Sequence, residues 1–146
     1  MSNLTNPEPA GYSTVSPYFV VDDIDKELSF LAAALGAEIL DGLKAPDGST
    51  MHGEARIGNV VIMIGGARAE FPATKSTVYI YTEDVDKTYQ NALKHGAISI
   101  VEPRDEFYGD RAGGIASPQG NQFWIAQQIE EVSTEEAERR FAEMGQ

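Results

Sequence analysis

The chain lacks cysteine altogether and is poor in basic residues, with 11 Lys and Arg against 23 Asp and Glu in 146 residues. The absence of cysteine excludes disulfides, thiolate zinc sites and a cysteine nucleophile. The formal net charge of −12 repels nucleic acid and anionic lipid. We therefore expect neither nucleic acid nor a membrane among the partners of this protein.

Long apolar runs are also missing, and no stretch of the sequence is long enough to span a membrane. The first fourteen residues have neither the basic start nor the apolar core of a signal peptide. We interpret residues 1–15 as a flexible N-terminal tail, and we expect a cytoplasmic protein.

The sequence does contain an internal repeat. At an offset of 61 positions, residues 23–26 (DIDK) match residues 84–87 (DVDK). After one deletion, Gly36-Ala37 matches Gly96-Ala97. A repeat of this length is too long for a solenoid unit and predicts a duplicated module of a strand, a helix and returning strands.

Local signals place these elements in the first module. Asp23 stands at the N-cap position of a helix that ends at Gly36, and its apolar residues recur at helical spacing. Turn signals at residues 46–48 and 58–59 separate three short strands after this helix. The module therefore has the order βαβββ.

The second module repeats this order, with Asp84 as the helix N-cap. We interpret residues 102–114 as a long irregular loop, followed by a closing strand over residues 122–126. Ser133 and Glu136 then form a capping-box pattern, which predicts a C-terminal helix within residues 130–146.

Paired βαβββ modules with a D-x-D-K motif at each first strand–helix junction resemble the vicinal-oxygen-chelate superfamily, which has the fold of glyoxalases, bleomycin-resistance proteins and extradiol dioxygenases. The resemblance covers residues 16–129. The segments 51–54 (MHGE), 107–111 (FYGDR) and 117–126 (SPQGNQFWIA) are similar to a glyoxalase-like subgroup also called demethylubiquinone-methyltransferase-like. Because this scaffold carries isomerases, dioxygenases, thiol transferases and drug-binding proteins, function must be argued from the site.

The resemblance implies an α+β fold. Two tandem βαβββ modules, residues 16–66 and 76–129, would form a curved mixed sheet around a cavity, with helices outside and an extra C-terminal helix. Proteins of this fold commonly pair, and exposed edge strands also favour pairing. We therefore expect a homodimer.

Enzymes of the superfamily typically hold a divalent metal with four side chains, one from the first and one from the last strand of each module. The resemblance places these positions at Ser16, Met63, Thr77 and Trp124. None of them is His, Glu, Asp or Gln. We therefore expect no metal site of the family's type, and no cofactor.

Strand alternation indicates which residues lie on the same side of the sheet as these four positions, because residues two apart share a face. The face that carries the metal positions of the family is rich in aromatic residues with polar tips. Its residues are Tyr18, Val61, Met63, Thr77, Tyr79, Tyr81, Gln122 and Trp124. The opposite face is aliphatic and aromatic without hydroxyl groups. We interpret the first face as the lining of a ligand cavity. The alternative is that its rings only fill the concave side of the sheet.

His52 and Glu54 share a face on the third strand of the first module and are the candidate catalytic residues, as an acid–base pair. The alternative is an exposed polar pair without a role in chemistry. His95, the other histidine, precedes Gly96 at the C-terminal end of a predicted helix, where the helix dipole favours a histidine.

The predicted loop supplies Tyr108 and Arg111 as further candidates for ligand contact. Arg111 would suit a carboxylate or a phosphate, because its planar fork bonds both oxygens. The alternative for Arg111 is an ion pair with Asp110 or a neighbouring carboxylate.

These patterns favour a metal-independent protein that binds a planar or amphipathic small molecule. The candidate ligand-binding residues are Tyr18, Met63, Tyr79, Tyr81, Tyr108, Arg111, Gln122 and Trp124. One alternative is a glyoxalase-type isomerase or lyase, or a dioxygenase, that uses His52 and Glu54. A second alternative is a non-catalytic regulator that interacts through the C-terminal helix.

Overall fold

Each half of the chain folds in the order that the repeat predicts, one strand, one helix and three further strands. The structure is a computed structural model that describes residues 5–145. The chain divides into two units, Met1–Lys75 (unit 1) and Ser76–Gln146 (unit 2).

Unit 1 is a four-stranded mixed sheet with one helix. Its elements are β1 (Tyr18–Val21), α1 (Ile24–Leu35), β2 (Glu38–Lys44), β3 (Thr50–Ile57) and β4 (Val60–Gly66). The strand order is β1-β4-β3-β2, with β1 parallel to β4 and the other pairs antiparallel.

Helix α1 begins and ends where the sequence predicts. The Asp23 side chain accepts a hydrogen bond from the Lys26 backbone N–H, and Gly36 ends the helix in the left-handed conformation. The helix packs on one face of the sheet. A Cβ at Gly53 on that face would lie 2.8 Å from Leu28 Cδ1, so only glycine allows this close approach. The core is fully buried at Phe19 and Ile64.

Unit 2 repeats the arrangement and adds a C-terminal helix. Its elements are β5 (Thr77–Tyr81), α2 (Val85–Lys94), β6 (Ile98–Asp105), β7 (Asp110–Ala116), β8 (Gln122–Gln128) and α3 (Thr134–Met144). The strand order is β5-β8-β7-β6, with β5 parallel to β8. Asp84 caps α2 as predicted, and Phe123, Ile125 and Ile115 are buried at 0% exposure.

The prediction of an irregular loop over residues 102–114 is wrong. Strand β6 continues to Asp105, and β7 begins at Asp110, so only a short turn separates them. Pro103 and the Gly113-Gly114 pair hide this hairpin, because both residue types are rare in strands. Pro103 is tolerated since β6 is an edge strand with an irregular register between Val101 and Arg104.

Part of the predicted N-terminal tail is attached to unit 1. The Arg56 side chain donates to the Gly11 carbonyl at 3.0 Å, and the Tyr12 hydroxyl donates to Glu54. Residues 1–4 of that tail lie outside the described residues. At the other end of the chain, Ser133 Oγ accepts from the Glu136 N–H at the start of α3, as the capping box predicts.

The α+β fold class is confirmed as two four-stranded mixed sheets with helices and a C-terminal helix. The cavity that the modules were expected to enclose stays a prediction. In the part of the chain that the structure describes, no helix is both long and apolar enough to cross a membrane.

Candidate functional site

Each sheet has one face that its strand-to-strand helix does not cover, which we call the open face of that unit. In unit 1 the open face carries Tyr18, His52, Glu54 and Met63. The strand register confirms that they share this side, because Tyr18 and Glu54 both pair with Met63 on β4. The Tyr18 side chain lies over Gly65, where a Cβ would be 2.5 Å from its hydroxyl oxygen.

His52 and Glu54 form the hydrogen-bonded pair that their spacing suggests. His52 Nε2 lies 2.9 Å from Glu54 Oε2, and the other carboxylate oxygen, Oε1, accepts from the Tyr12 hydroxyl. The Tyr18 ring lies 5.9 Å from the His52 ring, centroid to centroid. Both members of the pair are partly buried. The carboxylate therefore fixes one ring nitrogen of His52 and is itself held by Tyr12.

Opposing effects set the pKa of Glu54. Burial raises the pKa, but hydrogen bonds from Tyr12 and His52 lower it, and the net result is a pKa below the usual range. The hydrogen bond to Glu54 raises the pKa of the Tyr12 hydroxyl, which therefore keeps its proton. Because the pKa of Glu54 is lowered, its ionised form stabilises the folded protein above the unfolded-state pKa. This contribution is lost as the pH falls through the lower folded-state value.

The open face of unit 2 is more aromatic. Tyr79 pairs with Trp124 across β5 and β8, and Thr77 pairs with Gln122. The Trp124 ring lies over Gly114, where a Cβ would be 2.8 Å from Cζ3. A glycine thus makes room for an aromatic ring on the open face of each unit.

Tyr79 links this face to a buried carboxylate. Its hydroxyl donates to Asp110 Oδ2 at 2.8 Å and lies 3.4 Å from the hydroxyl of Tyr108. Burial, followed by the hydrogen bonds to Tyr108 and Asp110, raises the pKa of Tyr79 far above its usual value. Tyr79 is therefore a neutral donor. The Tyr81 ring meets the Tyr79 ring edge to face at 5.4 Å.

Arg111 is not brought together with these residues. Its guanidinium bonds both oxygens of Asp86 on α2 and one oxygen of Asp105 on β6, each at 2.9 Å. Asp86 lies on the helix side of the sheet, so Arg111 lies on the face opposite Asp110. The structure thus shows the ion-pair alternative for Arg111, with Asp86 and Asp105 as partners in place of Asp110. These pairs raise the pKa of Arg111.

Two residues of this arrangement were not predicted as site residues. Tyr12 lies in the segment that we interpreted as a tail, and no local pattern connects it with Glu54, 42 residues away. Asp110 was considered only as a partner for Arg111. Recognition of β7 as a strand would have placed Asp110 on the same face as Gly114, because they are four residues apart.

The four positions that hold the metal in the family's enzymes do not fit a hard divalent ion here. Met63 offers only a thioether, the Trp124 ring packs on Gly114, and Ser16 and Thr77 offer neutral hydroxyls. Among residues 5–145, no group of three or more His, Asp or Glu side chains could hold a metal ion.

A shallow apolar groove of about 400 Å³ lies beside α3 in unit 2. Phe107, Tyr108, Val132, Ala137 and Phe141 contribute to its lining. The rings of Phe107 and Phe141 lie 5.4 Å apart, although Phe141 is still mostly exposed. Helix α3 therefore packs loosely, with Arg140 as its polar anchor to Glu130 and to the Phe107 carbonyl.

With this geometry established, comparison with known families assigns the chain to a superfamily. The model of the Glyoxalase/Bleomycin resistance protein/Dioxygenase superfamily matches residues 14–125. The chain therefore belongs to this superfamily, in agreement with the resemblance noted in the sequence. This membership defines the class of protein and leaves the reaction or the ligand open.

Individual proteins similar to this chain fall into two groups. The uncharacterized proteins Mb0911c of Mycobacterium bovis and Rv0887c of Mycobacterium tuberculosis are each 30% identical over 96% of this chain, and over 97% and 86% of their own lengths. Among solved structures, TioX from Micromonospora sp. ML1 has a TM-score of 0.67 at 18% identity, covering 80% of this chain and 99% of that one. A lactoylglutathione lyase from Agrobacterium tumefaciens has a TM-score of 0.59 at 17% identity, covering 84% and 96%. At these identities the solved structures support the fold alone.

Proposed function

We propose that this protein binds a small molecule on an open sheet face and does so without the metal site usual in its superfamily. One observation carries the proposal. Exposed aromatic rings with polar tips stand on the sheet faces that α1 and α2 leave free, with Tyr18 53% and Tyr79 43% exposed. Large apolar rings left accessible in this way are typical of binding surfaces.

The chemistry of these faces favours a planar or amphipathic ligand. Trp124 and the tyrosines offer ring faces for stacking, and each aromatic contact is worth about 0.5–1.5 kcal/mol beyond burial. Gln122 and the hydroxyl of Tyr79 supply polar groups that would orient the ligand. Arg111 does not support the proposal, because its guanidinium is already bonded to Asp86 and Asp105.

A thermal-shift screen of planar and amphipathic compounds tests this function. Because Trp124 is the only tryptophan of the chain, a true ligand should also change the intrinsic fluorescence. At about 100-fold excess over Kd, binding should raise the Tm by about 5–10 °C. Trp124→Leu should remove that increase.

The matched control is Phe141→Leu, which changes an exposed ring on α3 and should keep the full Tm increase. An increase that survives Trp124→Leu unchanged would contradict the proposed site. Elemental analysis of protein purified without chelator tests the other half of the proposal. One tightly held Ni, Zn, Fe or Mn per chain would overturn it.

The second candidate function is an enzyme of the glyoxalase, lyase or dioxygenase type, favoured by the hydrogen-bonded trio of Tyr12, Glu54 and His52. A histidine held at one ring nitrogen by an ionised carboxylate is oriented to accept a proton at the other. Within residues 5–145, the His52 ring has no hydrogen bond besides the one to Glu54. Its Nδ1 is therefore available to a substrate.

Turnover assays distinguish this candidate from binding alone. With thiol adducts of methylglyoxal or with catechols as substrates, His52→Ala should reduce any turnover by about 100-fold or more, as for the loss of a general base. His95→Ala is the control, since the His95 ring bonds the Asn91 carbonyl at the end of α2 and takes no part in the trio. Equal activity in the wild type and His52→Ala would show that His52 is not a catalytic residue.

Three finer predictions concern the subgroup, the location and the oligomeric state. Membership of the demethylubiquinone-methyltransferase-like subgroup and a cytoplasmic location stay predictions. A homodimer is supported by the exposed apolar residues Ile39 and Leu43 on edge strand β2 and Ile98 on edge strand β6. Light scattering that gives a molar mass near 15.8 kDa would contradict it.

A regulatory role through α3 is the remaining alternative. Phe141 and Met144 are exposed on this helix. Phe141 also contacts Phe107, so part of the apolar stripe serves the packing of α3 on its own unit.

A further inference from the structure

Asp110 is a buried carboxylate without a cationic partner. It is only 8% exposed, and no Lys, Arg or His of residues 5–145 forms an ion pair with it. Arg111, the adjacent residue, points to the other face of the sheet and is bonded to Asp86 and Asp105. Burial of an unpaired carboxylate is costly, so the fold alone does not explain this residue.

The two oxygens of this carboxylate differ. Oδ2 accepts from the Tyr79 hydroxyl at 2.8 Å. The structure gives Oδ1 no donor among the described residues, and none of their fully buried side-chain oxygens lacks a partner. Oδ1 must therefore be the part of Asp110 that solvent or a ligand reaches.

Two tyrosine hydroxyls lie beside Asp110, and a third tyrosine ring packs against one of these residues. Tyr79 and Tyr108 bring their hydroxyls within 3.4 Å of each other beside it. Tyr79 and Tyr108 are 43% and 40% exposed, and Tyr81, edge-on to Tyr79, is 69% exposed. The negative faces of such rings attract cations within about 6 Å of the ring centre.

The neighbouring residues of this face are small and buried, which lets the Tyr79 side chain reach Asp110. Ala112 pairs with Ala126, and Gly114 pairs with Trp124, so small side chains lie between the tyrosines and the strand that carries Asp110. Tyr79 reaches across this region from β5 to bond Asp110 on β7.

We infer that the open face of unit 2 binds an organic cation, such as a quaternary or alkylated ammonium group, with its charge at Asp110 and its substituents against the tyrosine rings. This inference rests on the proposed ligand-binding function and specifies the class of ligand. The Tyr79 hydroxyl donates to Asp110 Oδ2, and Asp110 is the one acidic side chain of this group. The net charge of −12 also favours the encounter with a cation. A single carboxylate is too small a ligand set for a hard metal ion, which requires six or more oxygens.

Three small phenyl compounds that differ in charge test the inference by isothermal titration calorimetry and Trp124 fluorescence. They are the cation phenyltrimethylammonium, the neutral N,N-dimethylaniline and the anion benzenesulfonate. The cation should bind at least about 10-fold more tightly than the neutral compound, and the anion should not bind. Added salt should weaken the binding of the cation and leave the binding of the neutral compound unchanged.

Asp110→Asn keeps the size and the hydrogen bond from Tyr79 but removes the charge, so it should reduce the preference for the cation to about threefold or less. Glu131→Gln removes the same charge from an exposed site in unit 2 and should leave the preference unchanged. If Asp110→Asn does not fold, Tyr81→Leu replaces an exposed ring and should weaken cation binding about threefold.

The outcomes separate this inference from the proposed function. Equal affinity for cation and neutral compound in the wild type, or an unchanged preference in Asp110→Asn, would overturn the inference and leave ligand binding in place. No binding of any probe also overturns it, while compounds found by the thermal-shift screen would keep the proposed function. A thermal-shift screen that finds no ligand would contradict both the inference and the proposed function.

Discussion

Phe123→Ala should lower the free energy of unfolding by about 3–5 kcal/mol, as expected for loss of a fully buried aromatic side chain. Phe123 is 0% exposed and pairs with Val78 on β5 and Ile115 on β7. It lies on the helix side of the sheet, where truncation leaves a cavity that the neighbouring strands cannot close. Urea denaturation followed by circular dichroism measures the loss.

The control for Phe123 is Phe71→Ala, at a phenylalanine that is 58% exposed. It should cost less than about 1 kcal/mol, because little apolar surface returns to water. Similar losses at the two positions would show that the helix side of unit 2 is not the core. The adjacent Trp124 should behave differently from Phe123, since its ring lies on the open face and its removal should chiefly affect ligand binding.

Gly109→Ala should destabilise the protein by about 2 kcal/mol or more, since strained backbone and a close contact act together. Gly109 has a φ of 101°, a region that residues with a Cβ rarely adopt. A Cβ there would lie 2.5 Å from the carbonyl oxygen of Glu130 and 2.9 Å from Val132 Cγ2. The Gly109 carbonyl also accepts the backbone N–H groups of Ile129 and Glu130, so the contact cannot open without loss of these bonds.

Gly48→Ala separates the two effects at Gly109. Gly48 has a φ of 88°, but a Cβ at Gly48 would have no heavy atom within 4 Å. It should therefore show only the backbone cost, about 1–2 kcal/mol. Thermal and urea unfolding of both variants measure the difference. If Gly48→Ala is as destabilising as Gly109→Ala, the contact with the segment after β8 contributes nothing.

The correct predictions from the sequence concern features that recur within a few residues. Asp23 and Asp84 cap helices because a short carboxylate bonds a backbone N–H three positions later, which the sequence shows directly. Alternation also separated the aromatic face with polar tips from the opposite face, where Phe19 and Phe123 are buried, since a strand turns successive side chains to opposite sides. The duplication then supplied the order of the elements in both units.

The prediction of a loop over residues 102–114 is wrong because local strand propensity is low there, whereas pairing with another strand stabilises the segment as a strand. Pro103, Gly113 and Gly114 lower strand propensity, so the segment resembles a loop. Pairing of β7 with β8 over seven residues overrides that preference, because the ladder satisfies backbone groups that a loop would leave to water. Gly114 is also required there by the Trp124 ring, which no local pattern reveals.

The sequence by itself determined the superfamily, the βαβββ order and the face on which the aromatic residues lie. Only the tertiary structure decided the partners of the polar residues. Tyr12 meets Glu54 across 42 residues, Tyr79 meets Asp110 across 31, and Arg111 meets Asp86 across 25. Periodicity extends over one helix or strand, whereas these pairs depend on which strands become neighbours. The carboxylate that we infer to hold a cation is therefore recognisable only when β7 lies in the sheet.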